Sequence, residues 1–364
     1  MKTIAIAISV LIAIVLGVFA GHPIGHAASE PWGPMDQIER AAKEEGQVVI
    51  YAASGHASRD AQRALSEGFE KRYGIKIQWT SVSPQDIGTR VLAEQRSRRR
   101  VVDILMHGVG GSFILIQNRG YLTPMLAPST YEKDIWRVDP VSGSPEKRDW
   151  FFINMPLRPS FFINTTLVPP GEEPKGYQEL LAPKWKGKIV LQTPARGGSG
   201  SGWFKATYRH LGLETMRKLA KQVALVPSVS EVPDTVARGR FLLGIAATTT
   251  RGLQLVTEGA PVRFVQPKEG SHMATQGMDF ISNAPHPNAG KLFIHWFYTK
   301  EGQMLYAPAN RAISVRKDVP QDYMPEFMRY EEGAPFLMGA PEDMTAERTR
   351  ELLILGREIF EEGK

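Results

Sequence analysis

Cysteine is absent from all 364 residues. Disulfides, a lipid-modified N-terminal cysteine, cysteine-ligated zinc or iron–sulfur centres and thiol catalysis are therefore excluded. Beyond the apolar run from Ile4 to Ala20, no stretch is apolar enough to span a bilayer, and there is neither an internal repeat nor a low-complexity tract. None of the ten tyrosines is adjacent to another. Charge of one sign is not extreme either: the formal net charge is +6, an excess that suits an anionic ligand or partner without requiring nucleic acid.

What is present begins with a leader. Lys2, the apolar run and the small residues near Ala20 and at Gly25-His26-Ala27 read as a Sec-type signal peptide over residues 1–28, cut near Ala20 or Ala27. A membrane anchor is the alternative reading, but no basic stop-transfer flank follows. Export without cysteine suits a bacterial periplasm. The remaining length of about 335 residues exceeds what one core usually covers, so two lobes are expected.

The stretch from Lys188 to Leu211 organises the functional reading. Lys188 to Gln192 is a short apolar strand, Ala206 to Leu211 opens a helical run, and Arg196 to Gly202 between them is nearly all glycine and serine. A strand, a glycine loop and a helix start make an anion site, because the first helical turn has unpaired N–H groups and glycine admits a close approach. Ser199 and Ser201 add hydroxyls, and Arg196 adds charge. The same residues also read as a plain capped connection.

Upstream, Val48–Ala52, Ile75–Trp79 and Val101–Met106 read as strands alternating with helical faces, a βαβαβα series that implies a mainly parallel sheet covered on both sides. Ligands of such sheets sit beyond the carboxyl ends of the strands. The loops there are 53–57 (with Ser54, Gly55 and His56), 80–83, 107–112, the glycine loop (with Gly198, Ser199 and Gly200) and 246–251 (with Thr248, Thr249 and Arg251). They agree in being rich in Gly, Ser, Thr and His. Trp150 to Asn164 holds two apolar runs joined through Pro156 and Pro159; it is read as the crossing between lobes, with Arg158 facing the cleft. A second βα series runs from Lys188 to Val265, and Ala289, Leu292, Phe293, Trp296 and Phe297 mark a return helix with Asn288 at its cap. A last helix, Met344 to Phe360, is expected to cover the first lobe. The expected division is 29–156 for the first part of lobe 1, 157–265 for lobe 2 and 266–364 for the return to lobe 1.

Arg96-Ser97-Arg98-Arg99-Arg100 is the sharpest charge cluster, read as a solvated helix end with no interleaved aromatics for nucleic acid. An exported hydrolase is the competing class. It would need Ser199 as nucleophile, but a nucleophile elbow has glycine two residues after the serine, where Ser201 stands. His56, His107 and His272 have no acid paired to them by any local pattern. No catalytic residue, metal ligand or cofactor is expected.

Val48-Val49-Ile50-Tyr51, then Gly68-Phe69-Glu70-Lys71-Arg72-Tyr73-Gly74-Ile75-Lys76-Ile77, Pro183-Lys184-Trp185-Lys186-Gly187-Lys188-Ile189, Asn288-Ala289-Gly290-Lys291-Leu292-Phe293-Ile294 and Lys300-Glu301-Gly302-Gln303 resemble, in this order, the type 2 periplasmic solute-binding proteins of ABC importers, in the branch near the ferric-iron binders. The resemblance implies a periplasmic, monomeric α/β protein of two lobes, a hinge of crossover strands, and one solute passed to a permease and ATPase. A sensor subunit of the same fold would look alike. Ferric binders of the group use a histidine in the first loop, near His56, and paired tyrosines where this chain reads Ala247-Thr248-Thr249-Thr250-Arg251. Threonine hydroxyls are poor ferric ligands. The group's companion-anion loop matches Thr193 to Gly202, and Arg158, Arg196 and Arg251 supply guanidinium groups, Arg251 also reading as the partner of a surface acid such as Glu258. A phosphate-, phosphonate- or carboxylate-bearing solute is therefore expected, with ferric iron the alternative.

Overall fold

The computed structural model describes residues 32–363 apart from 54–55, 84–85, 109–110, 156, 340–342 and 344–345. The expected signal peptide, Ser54, Gly55 and the helix-start proline Pro84 lie outside the described residues. The chain enters through α1 (Met35–Glu45), which Gly46 ends in the left-handed conformation (φ 72°). Then come β1 (Gln47–Ala53), α2 (Arg59–Tyr73), β2 (Lys76–Val82), α3 (Asp86–Ser97), β3 (Ile104–His107) and α4 (Gly111–Gln117), the βαβαβα series that the periodicity predicts. Ser58 caps α2 by accepting the Ala61 N–H at 3.2 Å.

Three short strands follow: β4 (Phe151–Phe152), β5 (Leu157–Arg158) and β6 (Phe161–Asn164). The second series is β7 (Ile189–Gln192), α5 (Ser199–Leu211), α6 (Leu213–Ala220), β8 (Val223–Val226), α7 (Glu231–Ala237), β9 (Leu243–Ile245), α8 (Thr249–Thr257) and β10 (Val262–Val265). The chain closes with β11 (Ser271–Met273), β12 (Gly277–Phe280), α9 (Pro287–Phe297), α10 (Lys300–Asn310), β13 (Phe336–Leu337) and α11 (Ala346–Arg357), the last continued by a wider turn over Glu358–Glu362. His286, not Asn288, stands at the start of α9.

Two five-stranded sheets result, ordered β2-β1-β3-β12-β4 and β10-β6-β9-β7-β8, with a three-stranded sheet β13-β11-β5. Both large sheets are mixed. In the first, β2, β1, β3 and β4 share one direction and only β12 opposes them; in the second, only β6 opposes the rest. The odd strand is in each case the one by which the chain arrives from elsewhere. β6 follows the crossing through β5, and β12 follows the crossing through β11.

These directions place the hinge. β4 leaves the first sheet at the carboxyl ends of β1 and β3, and β6 enters the second beside the carboxyl end of β9, with Phe161 opposite Ile245. β10 leaves at that same edge, and β12 enters the first sheet beside the end of β3, with Gly277 opposite His107. The two crossings hydrogen-bond to each other as the antiparallel pair β5–β11. The carboxyl edges of the two sheets are therefore the edges that the crossover strands join.

After Gln47, β1 is buried throughout because both its faces are covered. Val48, Ile50 and Ala52 pack with Phe69 of α2 and with α9, while Val49, Tyr51 and Ala53 pack with Ile87, Val91 and Ile116 of α3 and α4. The second sheet buries Trp203, Phe204, Leu352, Ile359 and Phe360 in one cluster. Truncating a side chain as large as the fully buried Trp203 to alanine costs about 3–5 kcal/mol. This cluster corrects one expectation: the closing helix packs on the second sheet, not the first. Its amphipathic pattern required an apolar partner but did not say which, and the two-residue strand β13 that carries the chain across is too short to show a period.

Candidate functional site

At the edge of the first sheet, the turn after β1 is held by a polar mesh. The Tyr306 hydroxyl donates to the His56 carbonyl at 2.6 Å, and it accepts from Asn154 Nδ2 at 3.1 Å and Asn310 Nδ2 at 3.0 Å. Asn310 Oδ1 accepts the Ser58 N–H at 2.8 Å, and Asn154 also donates to Gln276 at 2.8 Å. His56 itself is buried. Burial pushes the Tyr306 phenol upward, so it stays a neutral donor. None of Asn154, Tyr306 and Asn310 is signalled by a motif; they meet only because α10 and the first crossing converge on this turn.

His107 ends β3 and is almost completely buried, with Nε2 2.5 Å from Asp279 Oδ2 on β12. No sequence pattern pairs them, since 172 residues intervene. Burial raises the Asp279 pKa and His107 opposes the rise; the other carboxyl oxygen, Oδ1, has no hydrogen-bond partner among the described residues. Such a buried pair braces the sheet edge.

At the edge of the second sheet, α5 starts at Ser199 rather than near Ala206, so the loop is Thr193 to Gly198 and both serines are in the first helical turn. Ser199 and Ser201 are buried. Gln192 Oε1 accepts the Gly200 N–H at 2.8 Å, and Ser201 donates to the Gly198 carbonyl at 3.1 Å. The glycines have a packing reason: a Cβ on Gly200 would overlap the Gln192 carbonyl, and one on Gly198, at φ +140°, would lie 2.6 Å from Gln192 Oε1. Gly197 faces open space. Gly198 and Gly200 thus admit helix α5 close to β7, and part of the donor array expected to be free is already satisfied by Gln192.

Arg196 is exposed and makes no hydrogen bond or ion pair among the described residues. Thr248 precedes α8 without capping it through its side chain, and Thr249 is the first residue of that helix. The chain reaches them through Ala246, a buried alanine at φ 56° whose N–H donates to the Ser160 carbonyl at 2.9 Å. Arg251 departs from expectation. Its Nε lies 2.7 Å from Asp234 Oδ1 and its Nη1 3.7 Å from Glu258, so it ties α8 to α7 instead of standing free. Arg158, described by its backbone, lies in the hinge opposite His272.

Strands β7 and β9 are parallel neighbours, so α5 and α8, which follow them, both begin at the carboxyl edge of the second sheet. Arg196 stands in the loop just before α5. Among the described residues no cluster of three or more His, Cys, Asp or Glu is arranged to hold a metal.

Two sheets of this order joined by crossover strands define the type II periplasmic binding fold. The sequence profile described as bacterial extracellular solute-binding protein matches residues 48–307, and the chain belongs to that family. An uncharacterised protein of Haemophilus influenzae is 27% identical over 280 residues, 74% of this chain and 77% of its own length. Ferric iron-binding protein A of Mannheimia haemolytica, in an open conformation, superposes with a TM-score of 0.70 at 18% identity, covering 86% of this chain and 98% of that one. The periplasmic binding protein AfuA of Actinobacillus pleuropneumoniae, solved with fructose-6-phosphate bound, gives 0.62 at 16% identity, covering 86% and 98%. The family is one of solute-binding proteins and not of enzymes.

Proposed function

We propose that this protein captures a small anionic solute, bearing a phosphate, phosphonate or carboxylate group, between the two carboxyl edges, and presents it to the permease and ATPase of an ABC-type importer from the periplasm. The observation that carries this reading is the uncommitted, exposed Arg196 in the loop before α5, with α5 and α8 both beginning at the hinge-facing edge of the second sheet. A guanidinium–phosphate pair contributes roughly 1.5–3 kcal/mol, and a micromolar constant needs about 8 kcal/mol. The rest falls to backbone N–H groups, to Thr248 and Thr249, and to the 54–56 turn. The fold seen in AfuA with fructose-6-phosphate supports a phosphorylated solute.

The proposed lobes follow the sheets. One comprises the residues before the crossing at 157 and the return segment up to β13; the other comprises 157–265 and the closing helix. Closure of the two over the solute is tested by X-ray scattering with and without it, a smaller radius of gyration being expected when bound. Native mass spectrometry of the protein as purified identifies the solute, and calorimetric titration with that compound checks the site. A purified protein that carries none, and binds no phosphorylated or carboxylated compound offered, would sink the proposal.

Ferric iron is the second reading, favoured by the resemblance to the Mannheimia protein and by His56 in the first turn. The Tyr51, Tyr177, Tyr298, Tyr306 and Tyr323 hydroxyls donate or accept inside the fold or are pushed up by burial, which weighs against a tyrosinate site.

A further inference from the structure

Opposite the solute edge, where β3 begins, the chain carries its densest charge. Arg96 lies in the last turn of α3, and Arg98, Arg99 and Arg100 form the turn into β3; all four are exposed, as is Arg119 after α4. The turn is fixed. Arg98 sits at φ 58° with its N–H on the Gln95 carbonyl, and Ser97 Oγ donates to the Glu94 carbonyl at 3.2 Å. Gln95 reaches the Ser282 carbonyl and Ser282 reaches that of Gly120, which links this turn to the segment bearing Arg119.

The neighbouring acids face inward. Glu94 accepts the Tyr51 hydroxyl at 2.6 Å and the N–H groups of Val101 and Val102 at 3.0 and 3.2 Å. Among the described residues its ion-pair partner is Arg90, at 3.6 Å, which stacks on Tyr51. Asp103, fully buried, accepts from the Val49 N–H and from the N–H and Nδ1 of His286. No described carboxylate pairs with Arg96, Arg98, Arg99, Arg100 or Arg119. Both nearby carboxylates hold backbone in place while five guanidinium groups are left to solvent.

We propose that this turn docks the protein on an anionic phospholipid surface. Its exposed side chains are guanidinium groups, one serine and Val101, 46% exposed, which suits a diffuse layer of negative charge with apolar tails beneath. It has no exposed aromatic on which bases would stack. Because β3 runs from this turn to the solute edge, docking here leaves that edge clear, whatever solute it takes.

The test is co-sedimentation of the exported protein with vesicles of equal parts phosphatidylglycerol and phosphatidylcholine, and with phosphatidylcholine alone. Retention is expected only on the anionic vesicles, falling steeply with added salt. Replacing Arg96, Arg98, Arg99 and Arg100 by Gln should lower it roughly 600-fold, at roughly fivefold per arginine. A control with the same charge change, Lys186, Lys188, Arg217 and Lys221 to Gln, should lower it far less. Absence of retention by the parent, retention indifferent to salt, or equal loss in both variants overturns the proposal. The salt series on the unaltered protein decides even where the arginine variant fails to fold.

Discussion

Gln192 Oε1 lies 2.8 Å from the amide nitrogen of Gly200, so the last residue of β7 caps the helix that begins seven residues later. The same side chain donates to the carbonyls of Gly197 and Pro227 at 3.3 and 3.4 Å. Gln192→Leu strands these groups and should cost about 1–3 kcal/mol. Beside it, Gly200→Ala forces a methyl group into the Gln192 carbonyl and should cost about 3 kcal/mol, whereas Gly197→Ala should stay within about 0.5 kcal/mol. Urea denaturation of the three variants checks the order; a Gly200→Ala protein as stable as the parent would refute this packing.

Arg196 and Arg251 should part company on mutation. Arg196→Ala is expected to weaken the co-purifying solute about tenfold, or 1.4 kcal/mol, with unchanged stability. Arg251→Ala loses a half-exposed pairing with Asp234, worth within about 1 kcal/mol of stability, and should barely move the affinity. Calorimetry and thermal unfolding on both variants separate the roles.

The buried Asp279 predicts a pH dependence. Its folded pKa is raised above the ordinary 3.8 by desolvation, so just above that value the folded protein keeps a proton that the unfolded chain has released. The contribution of this group is fully present below 3.8 and is lost as pH rises through the raised value. Asp279→Asn removes the titration. Unfolding free energies measured from about pH 4 to about pH 7 should therefore fall less, or rise more, with pH in the variant than in the parent. Parallel curves would contradict the assignment.

A ferric salt added to the purified protein should give no visible charge-transfer band. Tyr51 is pushed up to about 12 by burial and by Glu94, and Tyr323 likewise to about 12 by burial; neither is poised to become a phenolate. A band that disappears on mutating one tyrosine would instead establish the iron reading.

The alternation of β1, α2, β2 and α3 was legible because each element is long enough to show its period and Gly74 stops α2, whereas the cap at Ser58 came only from the fold. The glycine loop was legible in place but not in full role. Composition marks a close approach at Gly198 and Gly200, and only the fold reveals that the partner is Gln192. The sequence offers Glu258 as a partner for Arg251, which the fold provides at 3.7 Å, but it hides Asp234, which sits on a neighbouring helix. The mesh around Tyr306 draws on bonds between residues up to 252 positions apart, a distance at which spacing carries no signal. β11 and β13, of three and two residues, are hinge strands too short to be read at all.

Three strands in the hinge are an odd number, and that parity has a practical result. α1 packs on α9 at the first sheet, while α11 packs on α5 at the second, so the first and last of these helices straddle the crossover strands. A donor dye on exposed Glu44 and an acceptor on exposed Ile354 form a caliper across it. Energy transfer between them would read the opening angle directly, molecule by molecule, with no probe placed near the solute.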